Sequence, residues 1–200
     1  MVALPSHYFS EAPPPPKRFY ELSLQVGPWL FKFKSADGVF SKRKVDLGTA
    51  VLIKYLKIPE KGKFLDLGCG YGVIGIVAAK LNPRLEVYCV DVNPLAVKLA
   101  KENALANRVY NVKVLRGDLY VPVKGMKFKA IASNPPIAAG LSVVYRIIDE
   151  APEHLEDDGW LQLVVKKGVN LIAKRLSQRF SKVEVAGKQS GYRVFLAMNA

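Results

Sequence analysis

The sequence predicts an α/β protein: a doubly wound, mostly parallel seven-stranded sheet with an antiparallel C-terminal edge hairpin and a short N-terminal β-α extension. Three observations lead there. From Lys63 onward, short apolar runs alternate with segments whose apolar residues recur at helical spacing, the β-α-β order that builds parallel sheets. The first of these runs enters three closely spaced glycines and then a helix. The last two runs are separated only by a short polar stretch, which makes them a hairpin.

Taken in order, Pro13–Pro16 with Lys17 and Arg18 reads as an extended tether, or as a ligand for a proline-docking partner. Tyr20–Val26 and Trp29–Lys34 alternate apolar and polar residues about a Gly27-Pro28 turn, and Asp37-Gly38 marks a second turn. Leu47–Leu56 is helical. Phe64–Leu67, Glu86–Val90, Val112–Leu115, Phe128–Ala132 and Trp160–Val165 are strands. Between them lie helices over Val73–Leu81, Pro94 to about Ala106, and Val143–Leu155. The second starts at an Asn93 cap with Pro94 in its first position, where proline's missing N–H costs nothing. A helix over Val169–Phe180 precedes the closing strands Val183–Ala186 and Tyr192–Ala197, joined by Gly187–Gly191. Residues 1–62 are read as a tail and β-α extension packed on the main sheet, and residues 63–200 as the ligand-binding core, one structural domain overall.

The 200 residues, half of them hydrophobic, suffice for a single core without staples. Cys69 and Cys89 form no C-x-x-C pair, and the two histidines, His7 and His154, lie far apart, which excludes a disulfide framework and a Cys/His zinc cluster. No metal is expected. Met1–Phe9 lacks a basic n-region and no apolar run approaches the ~18 residues of a membrane span, so the expected location is the cytoplasm. The net charge of +13, from 30 basic and 17 acidic residues, favours polyanionic partners.

Phe64-Leu65-Asp66-Leu67-Gly68-Cys69-Gly70-Tyr71-Gly72 is the most informative stretch. Glycines permit a sharp turn and close approach of the backbone to a ligand. Read from Gly68 and Gly70, the dinucleotide pattern G-x-G-x-x-G fails at Val73, where its third glycine should stand. Asp66 at the strand end repels a pyrophosphate and attracts a cationic amino or sulfonium group. Asp91 ends the next strand and can accept both ribose hydroxyls. Asp118 follows the third strand and can accept an adenine amine. Each alone reads as a solvated loop residue. Their spacing sets three carboxylates at three adjacent strand ends, around one crevice.

Asp66–Gly72, Asp91 and Asp118 resemble the motifs of class I S-adenosylmethionine-dependent methyltransferases, over about Gly38–Ala197. The resemblance implies a Rossmann-like methyltransferase fold and S-adenosylmethionine as cofactor. It assigns the methionine end to Asp66, the ribose to Asp91 and the adenine to Asp118, with Gly68 and Gly70 at the cofactor.

Ser133-Asn134-Pro135-Pro136-Ile137 follows the fourth strand. By itself it reads as a rigid turn. In this position it resembles the N-P-P-[YFI] motif of amino-methyltransferases. An amine conjugated to a base ring or amide is a poor nucleophile. The Asn134 oxygen and the Pro135 carbonyl can each accept one N–H, turning the nitrogen lone pair toward the methyl group, and such bonds strengthen as the amine becomes more acidic. Asn134 and Pro135 are thus the catalytic candidates, with no general base required at the start.

Gly38–Ser41, Asp46–Thr49, Asn134–Ile137 and Gly191–Val194 are together similar to the "small" methyltransferase-domain family, and within it to small-subunit ribosomal RNA guanine-N2 methyltransferases of the stand-alone archaeal type. That likeness implies that Phe40 and Thr49 help wall the cofactor and base pocket; Phe40 also reads as core. It implies RNA, ribosomal RNA foremost, as the partner, with Asn134 touching the cofactor as well, and Phe40, Lys42, Pro136 and Ile137 meeting the substrate. Ile137 replaces the aromatic that stacks the base in adenine and glutamine methyltransferases, and Ala138 stands where many relatives carry Arg or His. Lys42-Arg43-Lys44, Lys124, Lys127, Lys129 and Lys166-Lys167 read as a nucleic-acid face or as a generally solvated surface. Transfer RNA, adenine N6, protein glutamine and a catalytically silent RNA-binding role stay as alternatives. Intact Asp66, Asp91, Asp118 and Asn134 argue against the last.

Overall fold

The computed structural model describes residues 16, 18–41, 43–137 and 140–199. Its strands are β1 (Phe19–Val26), β2 (Trp29–Ala36), β3 (Gly62–Leu67), β4 (Leu85–Asp91), β5 (Val112–Arg116), β6 (Phe128–Ser133), β7 (Leu155–Val165), β8 (Lys182–Gln189) and β9 (Tyr192–Met198). Its helices are α1 (Leu47–Lys54), α2 (Val73–Leu81), α3 (Pro94–Ala106), α4 (Leu141–His154) and α5 (Val169–Arg179). The seven-stranded sheet has the order β5-β4-β3-β6-β7-β9-β8. Strands β5 through β7 run parallel, and β9 pairs antiparallel with both β7 and β8. The antiparallel strand is therefore β9, one place in from the edge, and the edge strand β8 points the same way as β7.

Strand parity sorts the core into two layers. Phe64, Val87, Cys89 and Ala132 face a cluster built with α2 and α3, whereas Leu65, Leu67, Val90 and Ile131 face one built with α4 and α5. Burial on both faces is what a central parallel strand requires. Successive crossovers run one way from β3 to β4 and β5 and the other way from β3 to β6, so the order reverses between β3 and β6. Ligands bind such sheets beyond the strand C-termini at that reversal.

The β1–β2 hairpin forms a separate two-stranded sheet, in contact with α3 rather than added to the seven strands. Its open β2 edge is met by two asparagines one helical turn apart. Asn103 Oδ1 accepts Lys34 N–H (2.7 Å) and its Nδ2 donates to Lys34 O (3.0 Å). Asn107 treats Lys32 in the same way, at 3.0 and 2.7 Å. Each side-chain amide thus replaces one residue of a missing neighbour strand, covering an edge that would otherwise pair with other chains. Helix α1 packs on β7 and β9.

Two more expectations change. β7 starts at Leu155 rather than Trp160, with a register shift against β6 between Phe128 and Ala130; Asp158 points to solvent and pairs with Lys129 while its backbone continues the strand. The β8–β9 connection is two residues, Ser190 and Gly191, both at positive φ (52° and 80°), as a tight hairpin turn demands.

Candidate active site

A cavity opens beyond the C-terminal ends of β3, β4 and β6, lined among others by Gly68, Gly70, Asp91, Asp118, Asn134 and Pro136, and by Phe40, Asp46 and Thr49 from the segment before and at the start of α1. The glycine loop forms one wall. Gly68 (φ 72°) and Gly70 (φ 56°) hold left-handed backbone, and a Cβ on either would meet nothing within 4 Å. Their open sides leave a bare backbone cradle, the surface a nucleoside cofactor needs for close approach. The loop is tied down from β4: Val90 O accepts Gly68 N–H (2.8 Å), and Asp91 Oδ2 accepts Gly70 N–H (2.8 Å).

The complete glycine pattern lies one register later than the sequence reading placed it. Gly70-x-Gly72-x-x-Gly75 supplies all three glycines. Gly72 (φ 92°) starts α2, and a Cβ on Gly75 would stand 2.3 Å from Cys89 Sγ. Gly75 is the close-packing glycine of helix on strand, and it was legible in the sequence.

The three carboxylates take three different environments. Asp66 is fully buried behind the cavity lining, with Oδ2 accepting Gly75 N–H at 2.8 Å and Oδ1 buried without a partner. Burial pushes its carboxyl up to about 7; the Gly75 bond opposes the shift and the negative Asp91 adds to it. Asp91 lines the cavity, 7% exposed, with Oδ1 on Asn93 N–H (2.9 Å). Burial raises its carboxyl too, against three backbone N–H groups. Asp118 is exposed and accepts from Arg146 Nη1 at 2.9 Å, an ion pair the sequence did not announce.

At the end of β6, Asn134 Nδ2 donates to Asp46 Oδ2 (2.8 Å) and Thr49 Oγ1 (2.9 Å). Asp46 also caps α1, accepting Thr49 N–H at 3.1 Å. Asn134 Oδ1 makes no hydrogen bond among the described residues. Pro135 is buried, and its carbonyl accepts Ile137 N–H at 2.8 Å, leaving one lone pair. Pro136 reaches the cavity, whereas Ile137 packs against the core cluster under α4. Phe40 is 47% exposed at the cavity mouth. Lys42 and Ala138 lie outside the described residues.

Asp46 stands in the Asp46–Thr49 motif without a role of its own in the sequence, although an acidic residue just ahead of an apolar helix is a capping signal. His154 is buried and stacked on Tyr120 with ring centroids 4.5 Å apart. No cluster of metal-ligating residues occurs among the described residues, and no helix there is long and apolar enough to cross a membrane.

A glycine cradle at the sheet's reversal point, carboxylates at successive strand ends and an Asn-Pro-Pro loop meet at one crevice of an α/β fold, an arrangement suited to a nucleoside cofactor. The chain belongs to the methyltransferase small domain family, which matches residues 30–196. It is 38% identical over 195 residues to the uncharacterized protein YbxB of Bacillus subtilis, spanning 96% of this chain and 97% of that one. It is 34% identical over 183 residues to ribosomal RNA small subunit methyltransferase C of Aeromonas hydrophila, covering 90% of this chain and 52% of that protein. Among solved structures, the T. thermophilus 16S rRNA N2 methyltransferase RsmC, in complex with AdoMet and guanosine, superposes with a TM-score of 0.83 at 25% identity over 96% of this chain and 53% of that one. The chain thus spans about half the length of its relatives named for ribosomal RNA methylation.

Proposed function

We propose that this protein is an S-adenosylmethionine-dependent methyltransferase acting on an exocyclic amine of RNA, the N2 of a guanine in small-subunit ribosomal RNA. The observation that carries this reading is the Asn134 amide: its nitrogen is engaged by Asp46 and Thr49, and its oxygen remains to accept an amine N–H beside the glycine cradle. The similarity to the ribosomal RNA methyltransferases supports the choice of RNA and of guanine.

S-adenosylmethionine, when bound, supplies an electrophilic methyl group on a sulfonium. Gly68 and Gly70 would give it bare backbone, Asp91 would accept from the ribose hydroxyls and Asp118 from the adenine amine. Asp66 acts from behind the lining, fixing the start of α2 through Gly75 N–H. On the substrate side, Asn134 Oδ1 and the free lone pair of the Pro135 carbonyl take the two amine hydrogens. The nitrogen lone pair then points at the methyl group, and both bonds strengthen as nitrogen gains positive charge. Phe40 and Pro136 flank the base. The released proton passes to solvent.

The deciding experiment is methyl transfer to small-subunit ribosomal RNA followed by nucleoside mass spectrometry. N2-methylguanosine is expected, with RNA affinity falling steeply with salt through counterion release. N6-methyladenosine, or labelled protein in place of RNA, overturns the reading.

A further inference from the structure

We propose that Asp46 is a positioning residue for the chemistry: it locks the Asn134 side chain with its oxygen, not its nitrogen, toward the substrate amine. The inference rests on the amine-acceptor reading above and goes past it to the group that sets the acceptor's direction.

An asparagine amide is nearly symmetric in shape and opposite in chemistry at its two ends. Turned over, Asn134 would present N–H donors to an amine that needs acceptors, and the orienting bond would become a repulsion between donors. The rigid N-P-P backbone does not prevent this, because the flip is a side-chain rotation. Asp46 does. An ionised carboxylate only accepts, so the group 2.8 Å from its Oδ2 must be the amide nitrogen. Thr49 Oγ1 takes the second amide hydrogen at 2.9 Å. With both hydrogens engaged, no donor is left to face the substrate.

The surroundings hold this arrangement in place. Asp46 is itself fixed, because the same Oδ2 caps α1 through Thr49 N–H. Gly48, two residues past Asp46, admits no side chain: a Cβ there would stand 2.8 Å from Asp46 Oδ2, 2.8 Å from Tyr192 Cε1 and 3.2 Å from Asn134 Oδ1. A glycine inside a helix is unfavourable by propensity, and here it makes room for both ends of the lock.

Two measurements test the proposal. The first is methyl-transfer kinetics on the RNA accepted by the parent. Asp46→Ala is expected to lower kcat about ten- to hundredfold, the worth of one charge-assisted bond, with little change in KM for RNA. Asp46→Asn keeps the helix cap and an acceptor, so it regains part of that loss; Thr49→Val loses activity while leaving the cap. In an Asn134→Ala background, Asp46→Ala is expected to cost less than about twofold, because residues acting through one another are not additive. Multiplying losses, or an unchanged kcat in Asp46→Ala, overturn the lock. The second needs no substrate. The Asn134 side-chain amide resonance, assigned by its loss in Asn134→Ala, should exchange its hydrogens slowly in the parent and fast in Asp46→Ala and Thr49→Val relative to the parent. Equal exchange in all three overturns the proposal even where methylation is confirmed. A parent that methylates no amine but shows the protected amide removes the functional reading and leaves the lock standing.

Discussion

Asp91 Oδ2 accepts the Gly70 N–H at 2.8 Å, so the carboxylate that ends β4 also holds the glycine loop that ends β3. One side chain thereby sets two walls of the cavity. Replacing Asp91 by Ala removes the proposed ribose acceptor and frees the loop together. The expected result is a loss of S-adenosylmethionine binding of roughly 1.5–3 kcal/mol or more, the scale of a charged hydrogen bond, read by titration calorimetry. An unchanged affinity rejects the ribose assignment.

On the proposed mechanism, Asn134→Ala removes an acceptor that matters most at the transition state. Pro135 and Pro136 keep the turn, so the fold and the cofactor affinity should survive. Methyl transfer should fall about 10²–10³-fold, the usual scale for deleting one such group. A variant that binds both partners normally and turns over within a few-fold of the parent sinks the mechanism.

Asp66 gives the protein a pH dependence with a definite sign. Its folded value, about 7, lies above the unfolded value of 3.8. Across that window the folded state keeps a proton that the unfolded chain has released, so this group's contribution to stability declines as pH rises from about 4 to about 7. At ~1.4 kcal/mol per unit the change is at most about 4 kcal/mol. Asp66→Asn can still accept from Gly75 and does not titrate. Its stability relative to the parent should therefore climb over the same window in urea unfolding. Parallel curves would show that Asp66 ionises at its ordinary value.

Asn103, 1% exposed, serves Lys34 N–H, Lys34 O and Tyr71 O. Asn103→Ala leaves these backbone groups without their partner in a place water does not easily reach. A loss of about 2–4 kcal/mol is expected from denaturant unfolding, together with loosened hydrogen exchange across β2. Arg146→Ala is the contrast: its pair with Asp118 is about half exposed on both sides, so stability should change by less than about 1 kcal/mol.

Much of the molecule is written locally in the chain. Val73–Leu81 and Pro94–Ala106 are helices with the bounds their patterns predict, because apolar periodicity, the Asn93 cap and Pro94 at the first position all act within a few residues. The order of strands and helices, the glycine loop, and the arrival of Asp91, Asp118 and Asn134 at strand ends follow from the same short-range signals. So does the family.

What the tertiary structure decided is which side chain meets which. Asp46 and Asn134 are 88 residues apart, and only the seating of α1 against β7 and β9 brings the cap of one element to the end of another. Asp66 stands at a strand end as the sequence predicts, but strand parity turns it with Phe64 toward α2, away from the face carrying Leu65 and Leu67; it is buried for that reason, and its charge becomes costly. The hairpin could have joined the sheet edge by its alternation alone. Asn103 on α3 and Asn107 at its C-terminal cap, one turn apart, offered its open edge a ladder of side-chain amides, and no periodicity encodes a partner lying 69 residues away. Local geometry is fixed by neighbours in the chain, whereas hydrogen-bond partners and burial are fixed by which surfaces pack, and that is a property of the whole fold.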